Sequence, residues 1–414
     1  MSVVLDAVGG FLNRNRRKFY WLGGTVGSGY LLFKYAQWKW TEFQQRREIE
    51  QTAKSNVKRR FEQNLQDCTF AVGSLLPTLG ENLFNELNVE LLTAQLQQTR
   101  QAKTEGGEGS EDQPGAPVTQ PRKTKLEIWE ELKLLSFTRT ISSVYLVTLL
   151  IVFTHLQLSL LGRFFYLDSV VAFSQMDREQ QVRGTVGGRK GVSDETERKY
   201  LTFSWYVLNV GWKQFVAQVQ RAVHEVVGSI SLKEITTYDA LIEIIGKVRE
   251  KVEDENGENS SMTVFLLPEE GKEEEVLRAG GVETDGFVVD KELKDLLNET
   301  RDFLDSSDFR KVLKSCFDEA FDLLFKQLRP TFFAEQESRQ RSHISEVQEG
   351  EDIQDNAENK GKAMPLAGVI PIISRLVHHV VNGVPNIFLE VLSTQPELKA
   401  LSVVMYTGWE DHVL

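Results

Sequence analysis

Among 414 residues there are two cysteines, Cys68 and Cys316, so the chain has neither a disulfide framework nor a thiolate metal site. Such usage suits a reducing compartment. Metal and catalytic motifs are equally scarce. His224-Glu225 opens an H-E-x-x-H, but Gly228 stands where the second histidine belongs. His378 and His379 are adjacent and on a helix point about 100° apart, so they cannot share one metal. No two aspartates are separated by a single residue, which removes the D-x-D metal pair. Asp302, Asp305 and Asp308 recur every three residues, and Ser306-Ser307-Asp308 reads as a helix N-cap. Neither cysteine has a histidine close in sequence to activate it. No catalytic residue, metal or cofactor is expected. Stretches of strict apolar/polar alternation are also missing, which argues against a β fold.

Positive charge is confined to one end. Residues 1–60 carry 12 Lys/Arg against 4 Asp/Glu, a net of +8, while the remainder carries 36 against 56, a net of −20. A body that acidic repels phosphates, so nucleic acid is not an expected partner. The basic end begins with Arg14, Arg16, Arg17 and Lys18, a targeting segment over residues 1–18, and then runs uncharged from Phe19 to Phe33. Fifteen residues of helix span roughly 22 Å, short of the ~30 Å hydrocarbon core. With Lys18 and Lys34 snorkelling, residues 19–36 suffice as a transmembrane anchor. Tyr20, Trp21, Tyr35, Trp38 and Trp40 gather near its ends, as interfacial rings do. A cleaved signal peptide and a soluble helix are the alternatives, but no small-x-small cleavage site follows. "GGTVGSG" has the look of a phosphate loop, yet Tyr30-Leu31 replace the required Lys-Ser/Thr. Gly23 and Gly27 instead make a small-xxx-small ridge, which either packs membrane helices or reflects simple tolerance of glycine. Four Lys/Arg flank the span on each side, so charge leaves its orientation undecided.

From Tyr30 to Val72 there is neither Gly nor Pro, which predicts one long helix, followed by two shorter ones over "SLLPTLGENLFNELNVELLTAQLQQ". Composition predicts loops near 101–124, 178–198, 253–260, 268–286 and 334–363. The intervening segments have helical spacing, as in "FRKVLKSCFDEAFDLLFKQLRP". Residues 37–414 therefore read as an all-α domain, an elongated helical bundle. Ile141 to Leu161 has 21 residues without a charge, long enough to cross a membrane, but it also holds His155, Gln157, three serines and two threonines. It is either the long central helix of the bundle or a second span.

One helix start stands out. In "KLEIWEELKLLSF", Lys125, Trp129 and Lys133 fall at i, i+4 and i+8, one stripe continuing to Ser136 with Leu132 beside it. A large ring between two ammonium groups suits an acidic partner helix with leucine or phenylalanine anchors. The alternative is that Trp129 caps the core end of its helix.

Several segments in order resemble the peroxin-3 family: "FKYAQWK", "SLLPTL", "LLTAQL", "KLEIWEELKLLSFTR", "FFYLDS", "VGSISLK", "LNETRDFLDSSDF" and "PLAGVIPII". They span about 25 to 370, and the extreme C-terminus matches poorly. The resemblance implies a receptor anchored once in the peroxisomal membrane, with the bulk of the chain in the cytosol. It implies a groove that binds the amphipathic helix of a shuttle receptor, peroxisomal biogenesis factor 19, for membrane-protein insertion. The family's groove residues fall on Thr93, Leu96, Lys125, Trp129 and Leu132, and the stripe adds Lys133. Ile141–Leu161 then becomes a core helix. Adaptors of organelle inheritance or turnover would be further partners. The rival readings are a signal-anchored protein of the secretory pathway and a purely structural tether. The sequons at Asn259 and Asn298 distinguish the first of these, since they stay bare in a cytosolic domain.

Overall fold

A computed structural model of the chain describes residues 34, 37, 39, 40, 55, 56, 58–105, 124–179, 193–255, 262–282, 290–344, 361–382 and 385–407. The chain divides into two compact units, Met1–Glu62 and Gln63–Leu414. In the first unit the described residues are helical, and Trp40 is exposed. The expected basic segment (Arg14, Arg16, Arg17, Lys18) and the expected anchor over 19–36 lie outside the described residues, apart from Lys34.

The second unit is all-α, a helical bundle arranged around one helix. Helix α1 (residues 63–86) turns through Asn88, whose Oδ1 accepts from Leu91 N at 2.8 Å, into α2 (Val89–Glu105). Helix α3 (Lys125–Glu179) is the central element. Then come α4 (Asp194–Leu201), a π-helical turn at Val207–Gly211, α5 (Trp212–Val227), strand β1 (Ile235–Thr236), α6 (Tyr238–Glu255) and α7 (Thr263–Leu266). The short α8 (Glu273–Ala279), α9 (Lys291–Asp305) and α10 (Ser307–Ile344) follow. Strand β2 (Met364–Pro365), α11 (Leu366–Val381), α12 (Ile387–Ser393) and α13 (Pro396–Thr407) complete the unit.

The uncharged run Ile141–Leu161 is the core of this unit. It lies on the only described helix long and apolar enough to cross a membrane, and 94% of that helix's most apolar stretch is buried inside the protein. Helices α2, α5, α10, α11 and α13 all pack on α3. Several of the run's polar residues, and Thr140 just before it, bond within the protein. Thr148 and Thr154 donate to the carbonyls of Val144 and Leu150 one turn back, at 2.8 and 2.7 Å, and Thr140 reaches Ile373 O at 2.9 Å. Gln157 donates to Tyr200 O and accepts from Ser204 Oγ. Tyr145 meets Phe215, Phe317 and Phe321 edge-on, with centroids 4.8–5.4 Å away, and its hydroxyl donates to Glu253. Edge-to-face rings of this kind add about 1 kcal/mol per pair beyond burial.

Several elements differ from the sequence reading. The break expected after Val72 does not occur, and α1 runs on through Pro77 and Gly80 to residue 86. Pro77 removes one helical hydrogen bond, a cost of about 3 kcal/mol. Burial of Leu76, Leu79 and Leu83 along one face offsets it, at roughly 2 kcal/mol for each side chain. Helices extend into all five stretches read as loops: α2 to Glu105, α3 to Glu179 with α4 from Asp194, α6 to Glu255, α8 over Glu273–Ala279, and α10 to Ile344. Helix α8 lies wholly within 268–286, where Glu273, Glu274 and Glu275 complement the dipole of its first turn and Val276 and Leu277 are buried. Residues 106–123, 180–192, 256–260, 283–286 and 345–360 of those stretches are outside the described set. Ser306 does cap a helix, accepting from Phe309 N at 3.1 Å. A two-residue antiparallel pairing, Ile235 with Pro365 and Thr236 with Met364, joins loops where no strand was expected.

Candidate functional site

The start of α3 is set by a capping box. Thr124 Oγ1 accepts from Glu127 N, and Glu127 Oε2 accepts from Thr124 N at 2.8 Å, so two otherwise unsatisfied amides are closed reciprocally. Lys125 is thereby fixed in the first turn and is exposed. A cation there opposes the helix dipole, so the helix itself gains nothing from this lysine.

One turn further, α3 meets α2. Val89, Leu92 and Leu96 recur at i, i+3 and i+7 on α2, and Ile128, Leu132 and Leu135 at i, i+4 and i+7 on α3. The two rows pack into a small apolar cluster separate from the main core, with Val89, Leu92, Ile128, Leu132 and Ile370 buried. Leu96, Trp129, Leu135 and Leu232 are only partly buried against it. The cluster thus has a closed floor and a partly open face. Elsewhere on the same two helices Leu126 is 66% exposed and Leu91 53%. Thr93 is exposed on α2, its hydroxyl donating to Val89 O at 2.9 Å. Five residues singled out in the sequence, Thr93, Leu96, Lys125, Trp129 and Leu132, therefore lie on the two helices that build one cluster. Val89, Leu92 and Ile128 were legible from their spacing but were missed. Ile370 and Leu232 come from distant parts of the chain and carry no local signal.

Lys133 is corrected. The stripe from Lys125 through Trp129 to Ser136 is continuous, but its surroundings change along the helix: Lys125 is exposed, Trp129 half-buried, and Lys133 and Ser136 fully buried. The Lys133 ammonium is already engaged inside the protein, with Glu130 Oε2 at 2.7 Å and Ile230 O at 2.7 Å. It offers no charge to a partner, because α3 enters the bundle within two turns of its start.

The other side of α2 is held by a buried cation. Arg139 on α3 donates from Nη1 to both carboxylate oxygens of Glu90, at 3.0 and 2.8 Å, and from Nη2 to Ser374 Oγ at 2.8 Å. Its guanidinium lies over the Phe84 ring, which stacks on His378. Burial alone would push the Glu90 carboxyl up, but the Arg139 guanidinium more than offsets this and holds it below the usual carboxylate range. The cysteines are elsewhere and inert: burial pushes both thiols up to about 12. Among the described residues no three His, Cys, Asp or Glu side chains come together as a metal site would require.

The sequence is similar to known proteins. The Peroxin-3 family model matches residues 10–120 and 108–408. The chain is 30% identical to peroxisomal biogenesis factor 3 of Rattus norvegicus over 98% of each chain, and 29% identical to that of Yarrowia lipolytica over 97% of this chain and 99% of the other. It is 32% identical to the peroxisomal membrane protein PEX3 of Komagataella phaffii over 59% of each. The chain belongs to the peroxin-3 family. Membership places it at the peroxisomal membrane and in peroxisome biogenesis. Peroxin-3 proteins are biogenesis factors and are not known as enzymes.

Proposed function

We propose that this peroxin-3 protein is a docking receptor whose open apolar face, between α2 and the head of α3, takes up an amphipathic helix of the shuttle receptor peroxisomal biogenesis factor 19. Residues 19–36 anchor it once in the peroxisomal membrane, behind the basic segment of Arg14, Arg16, Arg17 and Lys18, and the helical domain faces the cytosol. The observation that carries this reading is the half-buried Trp129 packed on a cluster that stands apart from the main core. An indole seated on a closed apolar floor with one face open is the composition of a binding hot spot. Thr93 and Leu96 supply the α2 wall, Leu132 the floor, and Lys125 a cationic rim that attracts an acidic segment. Cargo release at the membrane follows docking, and no bond is made or broken by the receptor.

The test is a titration of the full chain, in detergent micelles, with labelled shuttle receptor. Trp129→Ala lowers affinity by about 2 kcal/mol or more, roughly 30-fold, while circular dichroism stays helical. Unchanged affinity with an intact fold removes this assignment.

A further inference from the structure

The loop after α5 is held between two clamps. At one end the buried Lys133 ammonium donates to the carbonyls of Ile230 at 2.7 Å and Gly228 at 3.4 Å. These lie just beyond the C-terminus of α5, where helix carbonyls lack internal partners and the dipole favours a cation. At the other end Leu232 O accepts from Ala367 N at 3.0 Å and Glu234 O from Leu366 N at 2.9 Å, next to the β1–β2 pairing. Leu232, whose carbonyl belongs to the second clamp, packs with its side chain on the same apolar cluster as Trp129. The second clamp is also the first turn of α11, the helix that delivers Ile370 to the cluster floor.

We infer that Lys133 is a positioning residue of the docking site: its ammonium fixes the loop that seats Leu232, and so shapes the open face without itself touching the partner. This rests on the docking reading above. It assigns the lysine of the stripe a role opposite to that of Lys125, which acts through its exposed charge. Two features follow from action through geometry. With Glu130, the half-exposed carboxylate that Lys133 pairs with, replaced by glutamine, the effect of removing Lys133 is insensitive to salt, because no exposed charge is lost or uncovered. It is also shared with Leu232, because both act through one contact.

The experiment uses the full chain in detergent micelles. Lys133→Met keeps the length of the stem and removes its donors, and it is compared in a Glu130→Gln background so that no half-exposed carboxylate is left unpaired. The expected result is a roughly tenfold loss of affinity for the shuttle receptor, equal at low and high salt and no larger when Leu232→Ala is already present. Amide exchange at Leu366 and Ala367 speeds up, while the amides of α6 are unaffected, and this readout needs no partner. Unchanged exchange at those two amides overturns the inference, as does a loss that vanishes at high salt or adds to that of Leu232→Ala. If Trp129→Ala weakens binding and Lys133→Met does not, the inference is likewise overturned. If neither variant alters binding and the two amides still loosen, the docking reading fails and the role of Lys133 in fixing the loop stands. Should Lys133→Met not fold, Leu232→Ala carries the test: a roughly tenfold loss on an intact fold supports the inference, and unchanged affinity refutes it.

Discussion

His155 lies in the middle of the apolar core of α3, fully buried, and neither ring nitrogen has a protein partner. Burial disfavours the imidazolium and holds the side chain down to about 4. In the unfolded chain the same group titrates near ~6.5. Between those values the unfolded state takes up a proton that the native state refuses, so stability falls as pH falls. The loss is absent above about 6.5, grows through the window, and levels off below about 4. A difference of about 2.5 units at ~1.36 kcal/mol each makes the full effect roughly 3 kcal/mol. His155→Leu removes the titrating group and fills similar volume. Urea unfolding of the full chain in detergent, followed by helical circular dichroism across this window, measures the effect. At neutral pH the variant is equally stable or slightly more so, since a polar group without a protein partner is gone. Near pH ~4.5 its advantage grows by about 2–3 kcal/mol. If wild type and His155→Leu lose stability in parallel as pH falls, the histidine is not the group responsible and the reasoning fails.

Gly211→Ala tests the tight crossing at the π-helical turn, where a Cβ would lie 1.9 Å from the backbone oxygen of Phe265. A loss of about 1–3 kcal/mol in urea unfolding is expected, and an unshifted midpoint would show that the Phe265 backbone yields. Glu90→Gln strands the buried Arg139 guanidinium and costs about 2 kcal/mol, less than in a fully buried pair because the Glu90 side chain is 58% exposed. Adding Arg139→Met returns most of that loss in the same assay, and a double variant weaker than either single one would contradict the account. Lys125→Glu slows association with the shuttle receptor several-fold in stopped-flow mixing, and the deficit shrinks at high salt; a salt-independent deficit would mean that its charge is not what acts.

The all-α class was legible because helical spacing runs through every long segment. The central helix was legible only as an alternative, since 21 uncharged residues satisfy both a membrane and a bundle core. What decides it is the supply of partner faces from α5, α10, α11 and α13, which lie far along the chain. Local breakers misled at Pro77 and Gly80, where packing of Leu76 and Leu83 outweighs propensity. The capping box Thr124-x-x-Glu127 was readable and would have placed the helix start. The π-helical turn at Val207–Gly211 has no such signal, because it answers to the backbone of Phe265 crossing at Gly211. At the candidate site, Trp129 and Leu132 could be picked out by spacing and resemblance. Lys133 could not be placed, because an i+8 spacing shows which face a residue shares and not how deep the helix has gone. Beyond Glu130 its acceptors are carbonyls some 95 residues away, and a carbonyl leaves no trace in side-chain identity.

The burial of Ile141–Leu161 also bears on how the protein is made. The residues that cover this segment most extensively, Leu366–Val381, are synthesised some 200 positions later. At ribosomal rates that interval is on the order of 10–40 s. Throughout it the nascent chain carries an incompletely covered stretch that meets the length and hydropathy of a membrane span. The late helices therefore do for this segment what a holding factor does for an unfinished protein, and they arrive last. A chain terminated before Leu366 is left with a surplus membrane-seeking helix. Premature termination converts the core of the domain into a mislocalisation signal.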